Sequence, residues 1–215
     1  MRAHAAELTH SSTLAPSPFS PHPAGIRQLF VRFDSSDPAA ESDARLEAFR
    51  TRLLPSLLTA MTAGGHGAAQ TMLFVPRYFD FVRVRQLLNA EDVPFASVSE
   101  YSTPSQVGKA RHALQHFEVP LLVYTERAHF FRRHKLRGAR HLAVYSPPSY
   151  PHFYTELMQN LDRANATDGA GGATGDATCV TLFCRLDAHP LQRMVGTDRA
   201  ARMIGSKQES SFLFA

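Results

Sequence analysis

The sequence predicts an α/β domain in which helices cover both faces of a parallel sheet. Between residues 71 and 161, short apolar runs alternate with single helical segments, a rhythm typical of right-handed strand–helix–strand crossovers. The runs MLFV, LLVY and LAVY are continuously apolar, as parallel strands are when both of their faces are buried. Together these observations favour one lobe of an α/β fold.

The strands are predicted from apolar runs that end at turns. The first has Leu29, Val31 and Phe33 on one face, and prolines at 76 and 120 bound two of the later ones. The terminal SFLFA has the composition of an edge strand. We expect strands at residues 27–33, 72–75, 95–98, 121–124, 141–145 and 179–184.

The helices are predicted from apolar residues three and four positions apart and from their end signals. Ser42, Thr125 and Ser149 can cap helices, and Pro151 suits a first helical position. Gly138 is expected to stop the helix that follows Thr125. We expect helices at residues 42–58, 78–88, 105–117, 126–136, 150–161, 188–195 and 198–204.

Two segments predict little fixed structure. Residues 1–24 are rich in Pro, Ser, His and Ala and form an expected flexible tail. The glycine- and alanine-rich stretch at about 162–178 is an expected disordered insertion. Residues 25–215 are therefore predicted to form one lobe that carries this insertion.

Composition and charge limit the partners and the cellular compartment that are expected for this chain. The net charge is +4, with a pI of about 9.3, but arginine-rich composition also follows from a GC-rich genome, so charge supports nucleic acid only weakly. No apolar stretch reaches the roughly 18 residues that span a bilayer, so no membrane partner is expected. The start of the chain lacks the apolar region of a secretory signal.

Cys179 and Cys184 would face opposite sides of a strand, so neither a disulfide nor a shared metal is expected and a reducing compartment fits.

Motifs for nucleotide hydrolysis are missing from the sequence. A phosphate cradle needs G-x-x-x-x-G-K-[ST], and the glycine-rich TAGGHGAAQTM has no lysine and precedes a strand. No pair of acids stands at a strand end to hold magnesium. The turn SPPS at residues 146–149 lacks the glycines of a nucleophilic serine elbow. We therefore predict no catalytic residue and no cofactor.

A basic run without any acid is the candidate binding site. Phe130 and Phe131 are interleaved with it, so the run could contact RNA phosphates or an acidic protein surface. A solvated helix face with the two phenylalanines in the core is the alternative. The candidate residues are Arg127, Arg132, Arg133, Lys135, Arg137 and Arg140.

Histidines cluster in the same region without the spacing of a metal site. His129, His134, His141 and His152 include no pair at i, i+4 with a third ligand nearby. We therefore expect structural or surface histidines and no bound metal.

Several long and unusual segments carry a resemblance to a known family. They include IRQLFVRFDSSDPAAESDARLEAF, LFVPRYFDFVRVR, EYSTPSQVGKAR, LLVYTERAHFFRRHKLRGARHLAVYSPPSYPHFYTEL and LQRMVGTDRAARMI. With these segments, from about Gly25 to Ile204, the chain resembles the C-terminal part of the digestive organ expansion factor family. That family comprises the U3 small nucleolar RNA-associated proteins, which are related to DEAD-box helicases.

The resemblance implies a RecA-like, helicase-derived C-terminal lobe. The run that begins at Thr125 would lie where active helicases contact RNA and nucleotide. In this chain, however, Thr125 is followed by Glu126 and Arg127. The segment from Ser149 to Leu161 would replace the arginine-finger segment, yet it contains no arginine. The family also has a first RecA-like lobe, and this chain is expected to begin just ahead of the second. We therefore expect a pseudo-helicase lobe that is not an enzyme.

The resemblance also implies partners and a location. The expected role is in the nucleolar small-subunit processome, in pre-ribosomal RNA processing and small-subunit biogenesis. The expected partners are pre-ribosomal RNA or the U3 small nucleolar ribonucleoprotein, and processome proteins, in the nucleus and nucleolus. Two alternatives remain at this point: an RNA-dependent ATPase lobe completed by a partner chain, and a structural scaffold without direct RNA contact.

Overall fold

Strands of one mixed sheet form the centre of the protein. The computed structural model describes residues 12–14, 26–35, 37–63, 70–161 and 177–214. The strands are β1 (Ser12–Leu14), β2 (Ile26–Arg32), β3 (Thr71–Val75), β4 (Phe95–Val98), β5 (Leu121–Thr125), β6 (His141–Val144), β7 (Ala177–Phe183) and β8 (Ser211–Phe214). Their order in the sheet is β1-β8-β2-β7-β6-β3-β5-β4.

The pairing is parallel from β2 across to β4. At the centre, Leu73 of β3 is in register with Val123 of β5 and with Ala143 of β6. Every residue of β3 and β5 is buried, which confirms the prediction from their continuous apolar runs. The exception is β8, which pairs antiparallel with β2 and parallel with β1. The sheet is therefore mixed, and β8, which the sequence predicts as an edge strand, lies instead between β1 and β2.

Helices connect the strands and cover both faces of the sheet, as predicted. They are α1 (Glu41–Ala48), α2 (Leu54–Ala63), α3 (Tyr78–Ala90), α4 (Pro104–Gln115), α5 (Glu126–Arg132), α6 (Pro151–Gln159), α7 (Ala188–Val195) and α8 (Thr197–Gly205). A π-helical segment, Phe49–Leu53, joins α1 to α2, and a 3₁₀ turn, Arg185–Asp187, precedes α7.

Two apolar cores lie on opposite faces of the sheet. One packs α1, α2 and α3 onto the strands and includes Phe49 and Phe81. The other packs α4 to α8 and includes Leu114, Leu157 and Met203. This layering is the three-layer arrangement that burying both faces of a parallel sheet requires.

Several helix ends differ from the sequence prediction. Helix α5 stops at Arg132, four residues early, because Arg133 adopts a left-handed backbone with φ of 43°. Gly138 has a positive φ as well, but it lies in the following loop and does not stop the helix. Ser42 does not cap α1, which begins one residue earlier, and Tyr150 rather than Ser149 stands at the cap position of α6. Thr125 does cap α5, since its hydroxyl accepts from the Ala128 N–H at 3.3 Å.

The segments predicted to lack structure are described only in part. Residues 12–14 of the expected flexible tail form β1, and the rest of residues 1–24 lies outside the described residues. Strand β7 begins at Ala177, so the expected insertion ends by that residue, and its residues 162–176 also lie outside the described ones. Among the described helices, none has the length and apolar character needed to cross a bilayer.

Candidate nucleic-acid interface

The carboxyl ends of the parallel strands meet at one edge of the sheet, here called the carboxyl edge. A cleft of about 840 Å³ opens there between α4 and α5. Its walls are the loop after β4, the first turns of α4 and one side of α5. The lining residues are Ser99, Glu100, Tyr101, Ser102, Pro104, Val107, Gly108, Arg111, Arg127, Ala128, Phe131, Arg132 and His134.

The start of α4 is set by its own sequence. The Thr103 hydroxyl accepts from the Gln106 N–H at 3.3 Å, and the Gln106 side chain accepts from the Thr103 N–H at 2.8 Å. This capping box satisfies two backbone donors and places Pro104 in the first turn. Arg111 follows Pro104 by seven residues and so lies two turns along the same face, toward the cleft.

Positive charge dominates the cleft. Arg111, Arg127 and Arg132 are exposed and line it, and Glu100 is the one acid among the described lining residues. The pKa of His134 is lowered by burial and further by the charges of Arg111 and Arg132. Three guanidinium groups converge on one opening, which suits an anionic chain that presents several phosphates.

Exposed aromatic rings stand beside these arginines. Tyr101 is 69% exposed and Phe131 is 60% exposed, and both line the cleft. The Tyr101 ring packs edge-on against Tyr78, with centroids 5.2 Å apart. Such exposed rings are the usual platforms for unpaired bases.

Glu100 forms the floor of the cleft. Its side chain is 7% exposed, and its Oε2 accepts from the Thr125 hydroxyl at 3.0 Å. The Nε of Arg127 lies 3.6 Å from Oε1, too far for a hydrogen bond, and Oε1 has no hydrogen-bond partner among the described residues. One buried carboxylate oxygen is thus left without a donor.

The structure separates the six basic residues predicted from the sequence. Arg127 and Arg132 line the cleft, whereas Arg133 turns to α6, with its Nε 3.1 Å from Glu156 Oε2 and its guanidinium 5.0 Å from the Phe153 ring centroid. Lys135 and Arg137 are exposed in the loop after α5. Arg140 is half-buried next to β6, and its backbone N–H donates to the Gln70 carbonyl at 2.8 Å.

Arg111, Glu100 and Tyr101 were not among the residues predicted to bind. The capping box ahead of Arg111 was a usable signal, because it fixes which face of α4 this arginine occupies. No comparable signal existed for Glu100. Its place beside Thr125 follows from the pairing of β4 with β5, which the sequence pattern does not reveal.

The surroundings of His129 indicate a structural role. It is buried, with Nε2 2.9 Å from Glu156 Oε2 and Nδ1 3.3 Å from the Tyr124 hydroxyl. Burial lowers its pKa, and the hydrogen bond with Glu156 offsets part of that effect. A neutral ring that donates from Nε2 and accepts at Nδ1 fits these neighbours. In the described residues no group of three or more His, Cys, Asp or Glu side chains could hold a metal ion.

The two cysteines lie in different cores, as their spacing predicted. Cys179 packs in the core beneath α6, and Cys184 packs in the core beneath α1. Burial raises the pKa of Cys179 to about 12 and that of Cys184 to about 11. Both thiols therefore stay protonated and poorly reactive near neutral pH.

Solved structures with a similar fold include part of an ATPase domain and a DEAD-box protein. The C-terminal part of the Fun30 ATPase domain superposes with a TM-score of 0.54 at 12% identity, over 71% of this chain and 45% of that one. The E. coli DEAD-box protein SrmB, bound to regulator of ribonuclease activity A, gives 0.54 at 16% identity, over 79% and 83%. These matches confirm the predicted RecA-like C-terminal lobe.

Sequence relatives confirm the predicted family. The human U3 small nucleolar RNA-associated protein 25 homolog is 35% identical over 183 residues, which are 85% of this chain and 23% of that protein. The Sclerotinia sclerotiorum protein of that name is 35% identical over 189 residues, or 86% and 25%. The chain thus spans about a quarter of the length of these curated relatives. Residues 20–214 match the model of the Utp25 C-terminal domain. The chain therefore belongs to the Utp25 C-terminal domain family.

Proposed function

We propose that this chain is a non-catalytic, helicase-derived lobe that binds RNA within the nucleolar small-subunit processome. The observation that carries the RNA part is the convergence of Arg111, Arg127 and Arg132 on a cleft with two exposed aromatic rings. Phosphates supply most of the affinity of such sites, and stacked bases add to it without strict sequence preference.

The processome part is supported by the relatives, whose names place them with U3 small nucleolar RNA. The chain would work in the nucleus and nucleolus, in pre-ribosomal RNA processing and small-subunit biogenesis. Its partners would be pre-ribosomal RNA or the U3 ribonucleoprotein, together with processome proteins. Its basic charge favours contact with such RNA-rich surfaces.

The non-catalytic part is supported by the residues at the positions where hydrolysis needs charge. No arginine occurs from Ser149 to Leu161, and no phosphate cradle of the P-loop type occurs in the sequence. Arg77, which follows β3, has a structural role, because its side chain forms ion pairs with Glu41 at 2.9 Å and with Asp80 at 2.6 Å. We therefore assign no residue of this chain to catalysis.

Titration with single-stranded RNA at several salt concentrations tests the proposal. Replacing Arg111, Arg127 and Arg132 with Gln should weaken binding by about tenfold or more. The slope of log affinity against log salt should fall by about 2, because each phosphate contact contributes roughly 0.7 for a single strand.

The matched control replaces Arg85, Arg193 and Arg202 with Gln. These arginines are exposed on α3, α7 and α8, outside the cleft, and the control removes the same net charge. It should bind RNA nearly as the wild type does. Equal losses in both triple variants would show that only net charge matters and would remove the cleft from the proposal. RNA-stimulated phosphate release from ATP in the same wild-type samples would contradict the non-catalytic assignment.

A further inference from the structure

The floor of the cleft contains an acceptor that its own neighbours do not satisfy. The Glu100 side chain is 7% exposed, and its Oε1 accepts no hydrogen bond from the described residues. Its other oxygen is already engaged by the Thr125 hydroxyl at 3.0 Å. A buried acceptor without a donor is costly, and a ligand that brings a donor to this point recovers that cost.

Arg127 is the group that now lies against this oxygen, and most of its side chain is exposed to solvent. Its side chain is 63% exposed, and its Nε stands 3.6 Å from Glu100 Oε1. The guanidinium also lies 5.9 Å from the Phe131 ring centroid, at the wall of the cleft. A phosphate in the cleft would compete for Arg127, since charge-assisted bonds to phosphate are short and bidentate. Drawing Arg127 away would leave the Glu100 carboxylate needing a new partner.

The ligand must therefore carry an anion for the arginines and, close to it, a hydrogen-bond donor for Glu100. In a nucleic acid the donor nearest a phosphate is the ribose 2′-hydroxyl, whereas the donors on a base lie at the far end of the nucleotide. DNA offers the same phosphates and bases without that hydroxyl. The exposed rings of Tyr101 and Phe131 suit an unpaired strand in either case.

We infer that the cleft selects RNA over DNA, through a ribose 2′-hydroxyl that donates a hydrogen bond to Glu100 Oε1. The inference rests on the proposed function and adds to it the class of strand and the residue that recognises it. Glu100 acts here as a specificity residue, and the arginines supply affinity without distinguishing the sugars.

Three oligonucleotides of the same length and base test this. They are oligouridine, oligodeoxyuridine and 2′-O-methyl oligouridine, each of about 12 residues. The methylated strand keeps the 2′ oxygen and loses its proton. The wild-type protein should bind oligouridine about tenfold more tightly than either of the others, because a hydrogen bond to a charged group contributes about that much.

The variant Glu100→Gln keeps the size of the side chain and an acceptor for Thr125 while removing the charge. Its preference for oligouridine should fall several-fold, with affinity for the deoxy strand nearly unchanged. The wild-type comparison needs no variant, so a poorly folded Gln protein would not spoil the test.

The possible failures are distinct. Equal wild-type affinity for all three strands would overturn the role of Glu100 and leave RNA binding through the arginines standing. A wild-type preference that survives unchanged in Glu100→Gln would move the recognition of the 2′-hydroxyl to another residue. No binding to any strand, with capture of an acidic peptide instead, would overturn the proposed function itself.

Discussion

Arg45 shows how one buried side chain links a helix to the sheet. It is 1% exposed, and its guanidinium pairs with Glu41 at 2.5 Å and with Asp187 at 2.6 Å. It also donates to the carbonyls of Tyr145 at 3.2 Å and Leu182 at 3.4 Å, at the ends of β6 and β7. Although burial lowers the pKa of Arg45, the carboxylates of Asp187 and Glu41 raise it above its usual value. The side chain thus stays charged and tied to α1 and both strands.

Replacing Arg45 with Met should lower the free energy of unfolding by about 3–5 kcal/mol, because it removes the buried guanidinium that pairs with Asp187 and Glu41, although Glu41 keeps its ion pair with Arg77. Chemical denaturation of the wild type and the variant measures this loss in the free energy of unfolding. Arg50→Met is the control, since Arg50 of the π-helical segment also pairs with an acid, Glu47 of α1, but is half exposed. The control should change stability little. Similar small changes in both variants would show that the Arg45 network is not coupled to folding.

Residue-scale chemistry was only partly predictable. The opposite placement of Cys179 and Cys184 followed from strand geometry alone, because side chains five positions apart face opposite sides. The buried state of Arg45 did not, because its two acids come from α1 and from the turn after β7. Long-range partners of this kind depend on how strands are ordered in the sheet.

At the scale of elements, α5 is the clearest departure from the sequence prediction. After Arg132, the residues Arg133, Lys135 and Leu136 are good helix formers, so local propensity favours a longer helix. Contacts with α6 oppose it: Glu156 takes hydrogen bonds or ion pairs from both His129 and Arg133. Arg133 then enters the left-handed region and donates from its side chain to the Phe130 carbonyl at 2.9 Å. Tertiary contacts therefore override helix propensity at this end.

Helix α6 was predictable because its pattern is strong. Phe153 and Leu157 lie one turn apart, and both are fully buried. Phe153→Ala and Leu157→Ala should each lower the free energy of unfolding by about 2–5 kcal/mol, as expected for large cavities in a packed core. Gln159→Ala is the control on the same helix, where the side chain is exposed. Losses under about 1 kcal/mol at both core positions in chemical denaturation would contradict the packing of α6 on the sheet.

At the scale of the whole molecule, strand order determines the candidate site. The sequence predicted a parallel sheet and helices on both faces, since each strand and helix carries its own local signal. It did not predict that β4 would be the outermost strand beside β5, which brings Glu100 next to Thr125. The basic run was identified as a group, yet only its members Arg127 and Arg132 share the cleft with Arg111. The order of the strands brings these side chains together, and a single sequence does not reveal that order.

The most direct measurement of where RNA binds is photocross-linking. Single-stranded RNA containing 4-thiouridine would be bound to the protein, irradiated and mapped by mass spectrometry. We expect cross-links at Tyr101 and Phe131, the exposed rings of the cleft. Phe117 serves as an internal control, because it is 44% exposed but lies just past the other end of α4. Cross-links at Phe117 or elsewhere, with none at Tyr101 or Phe131, would contradict the assignment of the cleft as the RNA site.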